Sequence, residues 1–199
     1  MSKNTDSMRI GIKGDELYLE NVSMSDAESI SKNANDPEIS KNLGGIGHFP
    51  FPYTVSDAFD FIKKAMDLYV NMQELHFAIK LNGQAVGMAG IFNIDYKNKK
   101  CEIGYWLGRA YWRKGYGKKA VTLLMHMAFE SLQMNKVYAK VFAFNSGSAT
   151  FLLKLGFKIE GTLMEDYFFE EYGRFEDDII LSMLKKEYKE GMPNITIEQ

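Results

Sequence analysis

The chain has 199 residues, 46% hydrophobic and 25% charged, which suits one domain with a substantial core and leaves little room for a second. A formal charge of -2 argues against a nucleic-acid binder held by a broad positive field, so any basic site has to be focused. One cysteine excludes an internal disulfide and a cysteine-based zinc site, no run approaches the roughly 18 apolar residues of a membrane span, and MSKNTDSMRI lacks a signal-peptide core, so a cytoplasmic protein is expected.

Residues 1–14 are polar and expected to be flexible. DELYLENV alternates like a strand, and Ser25-Asp26-Ala27-Glu28 has the spacing of a capping box that opens a short helix, expected to stop before Asp36-Pro37. NLGGIGHFPFPYT is a loop rich in glycine, proline and aromatics. It precedes a second capped helix from about Ser56 to Val70, with Phe59, Ile62, Met66 and Tyr69 at helical spacing. HFAIKL and QAVGMAGIFNI flank Asn82-Gly83, a strong hairpin signal, and CEIGYWL follows the turn YKNKK as a third strand. These three predict an antiparallel meander.

YWRKGYGKKA, residues 111–120, then places two glycines and four cations (Arg113, Lys114, Lys118, Lys119) in front of an apolar helix over 117–133. Ala120, Leu123, Leu124 and Met127 form one stripe of that helix and Val121, Met125, Phe129 and Leu132 another, so it is covered on most sides. KVYAKVFAF is the next strand. Strand, glycine loop, helix, strand is a right-handed crossover that sets 101–107 parallel to 137–144. SGSATFLLKLGF reads as a short helix stopped at Gly156, and FKIEGTL and DDIILSML are two further strands before a polar tail over 189–199. The expected fold class is α+β: one domain over 15–188, its mixed sheet antiparallel first and parallel later, with helices on both faces.

Four cations at a helix N-terminus oppose the helix dipole, which favours anions there. A di-anion such as a pyrophosphate resolves the conflict, because glycine lets an oxyanion reach the free backbone N–H groups and the cations flank it. The Walker spacing and the three-glycine dinucleotide fingerprint are both absent from 108–120. A solvated basic turn is the competing reading.

The neighbouring motifs bear on that choice. Glu102-Ile103-Gly104-Tyr105-Trp106-Leu107, then Trp112-Arg113-Lys114-Gly115-Tyr116-Gly117, Asn145-Ser146-Gly147-Ser148 and Lys154-Leu155-Gly156-Phe157 together resemble the GNAT superfamily of acetyl-CoA-dependent N-acetyltransferases. With the C-terminal run GRFEDDIILSMLKKEY, the chain is similar to the branch of ribosomal-protein N-terminal acetyltransferases and related polyamine acetyltransferases. The resemblance implies a GNAT fold whose parallel strands splay apart to form the acetyl-CoA cleft, with no metal. It implies that Arg113, Lys114, Gly115, Tyr116, Gly117 and Lys118 cradle the coenzyme pyrophosphate, although Trp112 departs from the family's usual Gln or Arg. Backbone groups near Trp106 and Leu107 then bind the pantetheine arm and polarise the thioester carbonyl, Gly104 marks the bulge that opens the gap, and Asn145 and Lys154 join the coenzyme site. For Gly104 the competing reading is relief of crowding, and for Asn145 a strand-end cap.

Glu102 is the candidate general base, set against a plain cross-strand charge. Many family members reprotonate the departing thiolate with a tyrosine four residues before the glycine of K-x-G-F. Leu152 stands there, so Ser148 is the substitute candidate, set against a plain helix N-cap. His48, Phe49 and Tyr53 are expected to shape the acceptor mouth, or to pack under a loop. The eight carboxylates between Glu160 and Asp178, with only Arg174 among them, form an acidic rim that suits a cationic acceptor, a protein N-terminus or a polyamine. Scattered His48, His76 and His126 give a metal site little support. Nucleic acid and membrane are not expected partners, and a homodimer is compatible with the sequence.

Overall fold

The structure is a computed structural model that describes residues 8–189 and 194–198. Its opening strands are β1 (Arg9–Ile12) and β2 (Leu17–Asn21). β1 differs from the expectation of a loose segment before residue 15: Ile10 is fully buried, and the strand pairs on one side with β2 and on the other with β9 (Ile195–Glu198). Residues 1–7 of the expected flexible N-terminus and residues 190–193 and 199 of the polar tail lie outside the described residues.

A capping box joins Ser23 to Asp26, with Ser23 N–H donating to Asp26 Oδ2 at 3.1 Å, two residues earlier than the spacing predicted. Helix α1 (Ala27–Ala34) follows. The Asp26 carboxylate is held there because it also pairs with the buried Lys80 ammonium. Asp36-Pro37, predicted as a stop, is equally a start: Asp36 accepts from Glu38 N–H at 2.9 Å and Pro37 opens α2 (Pro37–Asn42), a helix the sequence reading lacked. Helix α3 (Val55–Val70) is opened by a reciprocal box between Thr54 and Asp57.

β3 (Leu75–Leu81) and β4 (Gln84–Asp95) turn at Asn82 and Gly83, whose φ values of 51 and 80 are the left-handed pair that such a tight hairpin requires. β5 (Lys100–Leu107) completes the meander. α4 (Tyr116–His126) ends in a π-turn over Met127–Ser131 and leads to β6 (Lys136–Phe142). The chain closes with α5 (Ser146–Lys154), β7 (Lys158–Phe169) and β8 (Arg174–Leu184).

The sheet order is β7-β8-β6-β5-β4-β3-β2-β1-β9. Every neighbouring pair is antiparallel except β5 and β6, because the α4 crossover carries the chain back to the starting edge of β5. β8 lies between β6 and β7, so the parallel portion is confined to that one pair. On one face α1 and α3 bury Ile30 and Ile62 against Ala78 and Met88, while on the other α4 and α5 bury Leu123, Leu124 and Leu152 against Ile103 and Val137.

Of the two readings of Gly104, a bulge and relief of crowding, the structure bears out the second. Gly104 pairs in register with Gly90, and a Cβ on Gly104 would approach the Phe92 ring to 2.8 Å, with one on Gly90 closer still. The two glycines make room for that ring. The irregularity in this ladder lies on β4, between Phe92 and Asp95, where Asn93 has a φ of 47.

Candidate active site

The parallel ladder is short. Lys100, Cys101 and Glu102 pair with Lys136, Val137 and Tyr138, after which β5 runs on to Leu107 and β6 to Phe142 without pairing to each other. β4 holds β5 as far as Leu107 and β8 holds β6 as far as Phe142, so both strands stay extended while a gap opens between them. Unpaired backbone at such a gap can accept an extended ligand as an extra strand.

Which groups face the gap follows from the ladder. Gly108 N–H donates to Val86 O at 2.9 Å, and the two-residue alternation of an antiparallel pair then turns the Trp106 and Gly104 backbone toward β4 and that of Tyr105 and Leu107 toward the gap. The Leu107 carbonyl already accepts from Trp112 Nε1 at 2.6 Å, which leaves its N–H. The expectation of backbone groups near Trp106 and Leu107 thus narrows to Tyr105 and Leu107. The Trp106 side chain packs with the α1–α3 cluster, on the face opposite α4.

Trp112 also explains why an aromatic stands where the family uses Gln or Arg: its indole ties the glycine loop to the end of β5. Gly115 has a φ of 84 as the N-cap of α4, and a Cβ there would meet open space, so the loop mouth is clear. Of the four cations, Lys119 turns back to Asp15, 2.6 Å away. Arg113, Lys114 and Lys118 are exposed, with no carboxylate within ion-pair distance among the described residues. Three uncompensated cations around free first-turn N–H groups suit a diphosphate, so the residues present fit the coenzyme.

Asn145 Oδ1 accepts from Ser148 N–H at 3.1 Å and caps α5, so the cap reading of Asn145 holds in the structure, and its amide N–H groups remain for a ligand. Ser148 is therefore not the cap. Its hydroxyl lies 3.0 Å from the Tyr105 hydroxyl, a partner that the sequence analysis had not singled out. Leu152 is fully buried beneath α5. Lys154 is exposed in the last turn of α5, about 13 Å along the axis from Asn145.

Glu102 sits at the fork, partly buried, on the face that carries Trp106 and α3. Asn93 Nδ2 donates to its Oε2 at 2.8 Å, and Tyr138 is its partner across the ladder; burial, then the Glu102 charge, holds that phenol above its usual range. Further along this face, Lys140 pairs with Asp166 at 2.8 Å beside Asp178. Asp178 is 6% exposed, and burial first, then the neighbouring Asp166 and Glu102, pushes it up to about 6 against the pull of Lys140. No sequence spacing pointed to Asn93 or Tyr138, and Asp178, read from sequence as part of the acidic rim, is buried instead.

The predicted mouth residues divide. Phe49 stacks on Tyr53 at 4.8 Å and meets Trp106 edge-on at 5.9 Å, whereas His48 is exposed at the rim. Tyr53 is buried, and burial pushes its phenol up to about 12, so it serves as wall rather than as contact. The loop is tied to the β7–β8 hairpin by Tyr167, which donates to Gly44 O at 2.8 Å, and by Ile46 N–H, which donates to Glu171 at 3.1 Å. The acidic rim is compensated only in part: among the described residues Glu160 pairs with Lys136, Asp166 with Lys140 and Glu176 with Arg174, while Asp177 accepts from Glu165 N–H. Among the described residues, no helix is long and apolar enough to cross a membrane.

The family profile described as an acetyltransferase (GNAT) domain matches residues 16–158. The chain is 37% identical over 175 residues to the uncharacterized N-acetyltransferase p20 of Bacillus licheniformis, across 86% of this chain and 94% of that protein. It is 26% identical over 141 residues to the spermidine N(1)-acetyltransferase of Escherichia coli strain K12, across 70% and 73%. The solved structure of the Microcin C7 self immunity acetyltransferase MccE in complex with acetyl-CoA and AMP superposes with a TM-score of 0.77 at 28% identity, over 86% of this chain and 93% of that one. The forked strand pair with its basic glycine loop thus has a family: the chain belongs to the GNAT acetyltransferases and is an acetyl-CoA-dependent N-acetyltransferase.

Proposed function

We propose that the acceptor is a protein N-terminal α-amine. The observation that supports this reading is the Glu102 carboxylate at the fork of β5 and β6, held by Asn93 beside Tyr138 on the face away from the glycine loop. An α-amine with a pKa near 8 is held back by about 1.4 kcal/mol through protonation at pH 7, and a lysine-like amine near 10.4 by about 4.6 kcal/mol. One carboxylate acting through water is enough for the first. Phe49 and Trp106 offer an apolar wall to the side chain that follows the amine.

In this reading Arg113, Lys114, Lys118 and the N–H groups of Gly115, Tyr116 and Gly117 hold the diphosphate, with Asn145 and Lys154 along the coenzyme. The N–H of Leu107 and the backbone of Tyr105 bond the pantetheine arm and the thioester oxygen. Glu102 takes the proton of the acceptor ammonium, the nitrogen attacks the thioester carbon, and the C–S bond breaks as Ser148 hands its hydroxyl proton to the sulfur. His48, Phe49 and Tyr53 frame the entry. The reaction is assigned to the cytoplasm, where the buried free thiol of Cys101 stays reduced.

A polyamine acceptor is the second reading, favoured by Glu170 and Glu171 at the rim and by the spermidine-acetylating relative. A panel of N-terminal peptides, spermidine and free amino compounds, read by thiol release and product mass, separates them. Faster turnover of spermidine than of every peptide removes the first reading. Coenzyme binding with no thiol release for any amine removes both and leaves an acyl-CoA sensor.

A further inference from the structure

Tyr105 and Ser148 lie 43 residues apart in the sequence, and their hydroxyl oxygens meet at 3.0 Å beside the gap. The Tyr105 ring is fixed edge-on to Phe151 at 5.4 Å and packs against the larger core, and Ser148 is the only hydrogen-bond partner of its hydroxyl among the described residues. Ser148 is fixed as well, since its N–H is held by Asn145. In a bonded pair of hydroxyls one hydrogen lies between the oxygens and the other is left for a third group. A phenol is more acidic than an alkyl hydroxyl and is the better donor of the two. The remaining hydrogen is then the serine's.

We propose that Tyr105 is a positioning residue for acetyl transfer: by donating its hydroxyl hydrogen to Ser148 Oγ, it turns the Ser148 hydrogen toward the departing sulfur and makes that hydroxyl a better acid. This rests on the assignment of Ser148 made above. It explains how the chain works with Leu152 buried where relatives use a tyrosine, because the phenol reaches the step from β5 instead of α5. As the C–N bond forms and the C–S bond breaks, the sulfur takes the Ser148 hydrogen, and the serine oxygen recovers through water the proton released by the acceptor nitrogen. Tyr105 keeps its own proton throughout. Burial pushes its phenol up to about 12, with the Ser148 bond drawing it back, so it stays a donor over the working range.

The test is a cycle of Tyr105→Phe, Ser148→Ala and the double variant, assayed on the fastest amine of the panel so that the acceptor's identity does not enter. Loss of one oriented hydrogen bond predicts a kcat about tenfold lower for Tyr105→Phe with the KM for acetyl-CoA unchanged. The double variant is expected to be no slower than Ser148→Ala, because once the serine hydroxyl is gone the phenol has nothing left to orient. A second readout needs neither turnover nor a change at Tyr105: in protein isotope-labelled at the tyrosine ring carbon bearing the hydroxyl, the Tyr105 NMR resonance should move in Ser148→Ala without coenzyme. Full activity of Tyr105→Phe, full activity of Ser148→Ala, losses that multiply in the double variant, or an unmoved resonance each overturns the proposal.

Discussion

Glu102 on β5 and Tyr138 on β6 are the last paired residues of the parallel ladder, and at the point where the strands part burial, then the Glu102 charge, holds the Tyr138 phenol above its usual range. The strand pairing that closes one end of the cleft thereby holds the candidate base where the gap between β5 and β6 begins. Glu102→Gln keeps the size and much of the hydrogen bonding but removes the charge. The kcat/KM for an α-amine is expected to fall about a hundredfold at pH 7, with coenzyme affinity by calorimetry unchanged. The deficit should narrow near pH 9, where an amine of pKa near 8 is already deprotonated. A deficit of the same size at both pH values removes Glu102 from the proton transfer.

The glycine loop makes a prediction that separates its cations. Lys114 and Lys118 have no carboxylate partner among the described residues, whereas Lys119 is paired to Asp15, and that bond together with the Leu17 and Glu16 N–H groups outweighs burial and holds the Asp15 carboxyl below its usual range. Lys114→Ala and Lys118→Ala should each weaken acetyl-CoA binding about threefold or more, with the loss shrinking at high salt. Lys119→Ala should leave binding intact. Equal losses for all three mean that the loop acts as a diffuse positive field and not as a cradle.

Asp178 gives a pH dependence of stability. Its folded-state pKa, about 6, lies above the ordinary 3.8, so the neutral form is the one the fold favours. Its stabilising contribution is full below the unfolded value and is lost as pH rises through about 6. Asp178→Asn supplies a neutral amide that keeps a donor for Asp166. At pH 7.5 the variant should be more stable to urea by on the order of 1 kcal/mol, less than the full shift implies because Lys140 and solvent screen the charge. Near pH 4 the gain should disappear. A constant gain across that range assigns the effect to packing.

These contacts also show what could be read from the chain. Asn82-Gly83 was legible because the left-handed turn it makes depends only on those two residues. The crossover from β5 through the glycine loop to β6 was legible because the order of elements sets its handedness. Gly104 stayed open between a bulge and relief of crowding because the ring that decides it, Phe92, sits on the neighbouring strand, and α2 was lacking because Pro37 serves as an N1 residue once Asp36 caps it. β1 was hidden because its outer partner, Ile195–Glu198, comes from the other end of the chain. Tyr105 and Ser148 are brought together only by the packing of α5 on the sheet, and Glu102, Asn93 and Tyr138 only by strand register. At the site, residue types announced the cradle, and tertiary pairing decided the acid–base groups.

The attachment of α1 to the sheet yields the last prediction. Lys80 on β3 is 6% exposed and Asp26 before α1 is 3% exposed; they pair directly, with Glu20 3.7 Å from the same ammonium. The Asp26 carboxylate is also the acceptor of the Ser23 capping box, so one buried charge orders both the sheet contact and the helix entry. Removing one partner of such a pair leaves the other buried and uncompensated, so Lys80→Met should cost about 3 kcal/mol or more in urea unfolding. Replacing both, as in Lys80→Met with Asp26→Ser, restores neutrality while keeping a capping hydroxyl, and should recover a large part of the loss. The helix whose start the pair fixes packs with Tyr53 and Trp106 in one cluster, so the single variant should raise the KM for the acceptor more than that for acetyl-CoA. Steady-state kinetics with each substrate varied in turn decides this: equal changes in both KM values mean that the pair supports the whole fold rather than the acceptor wall.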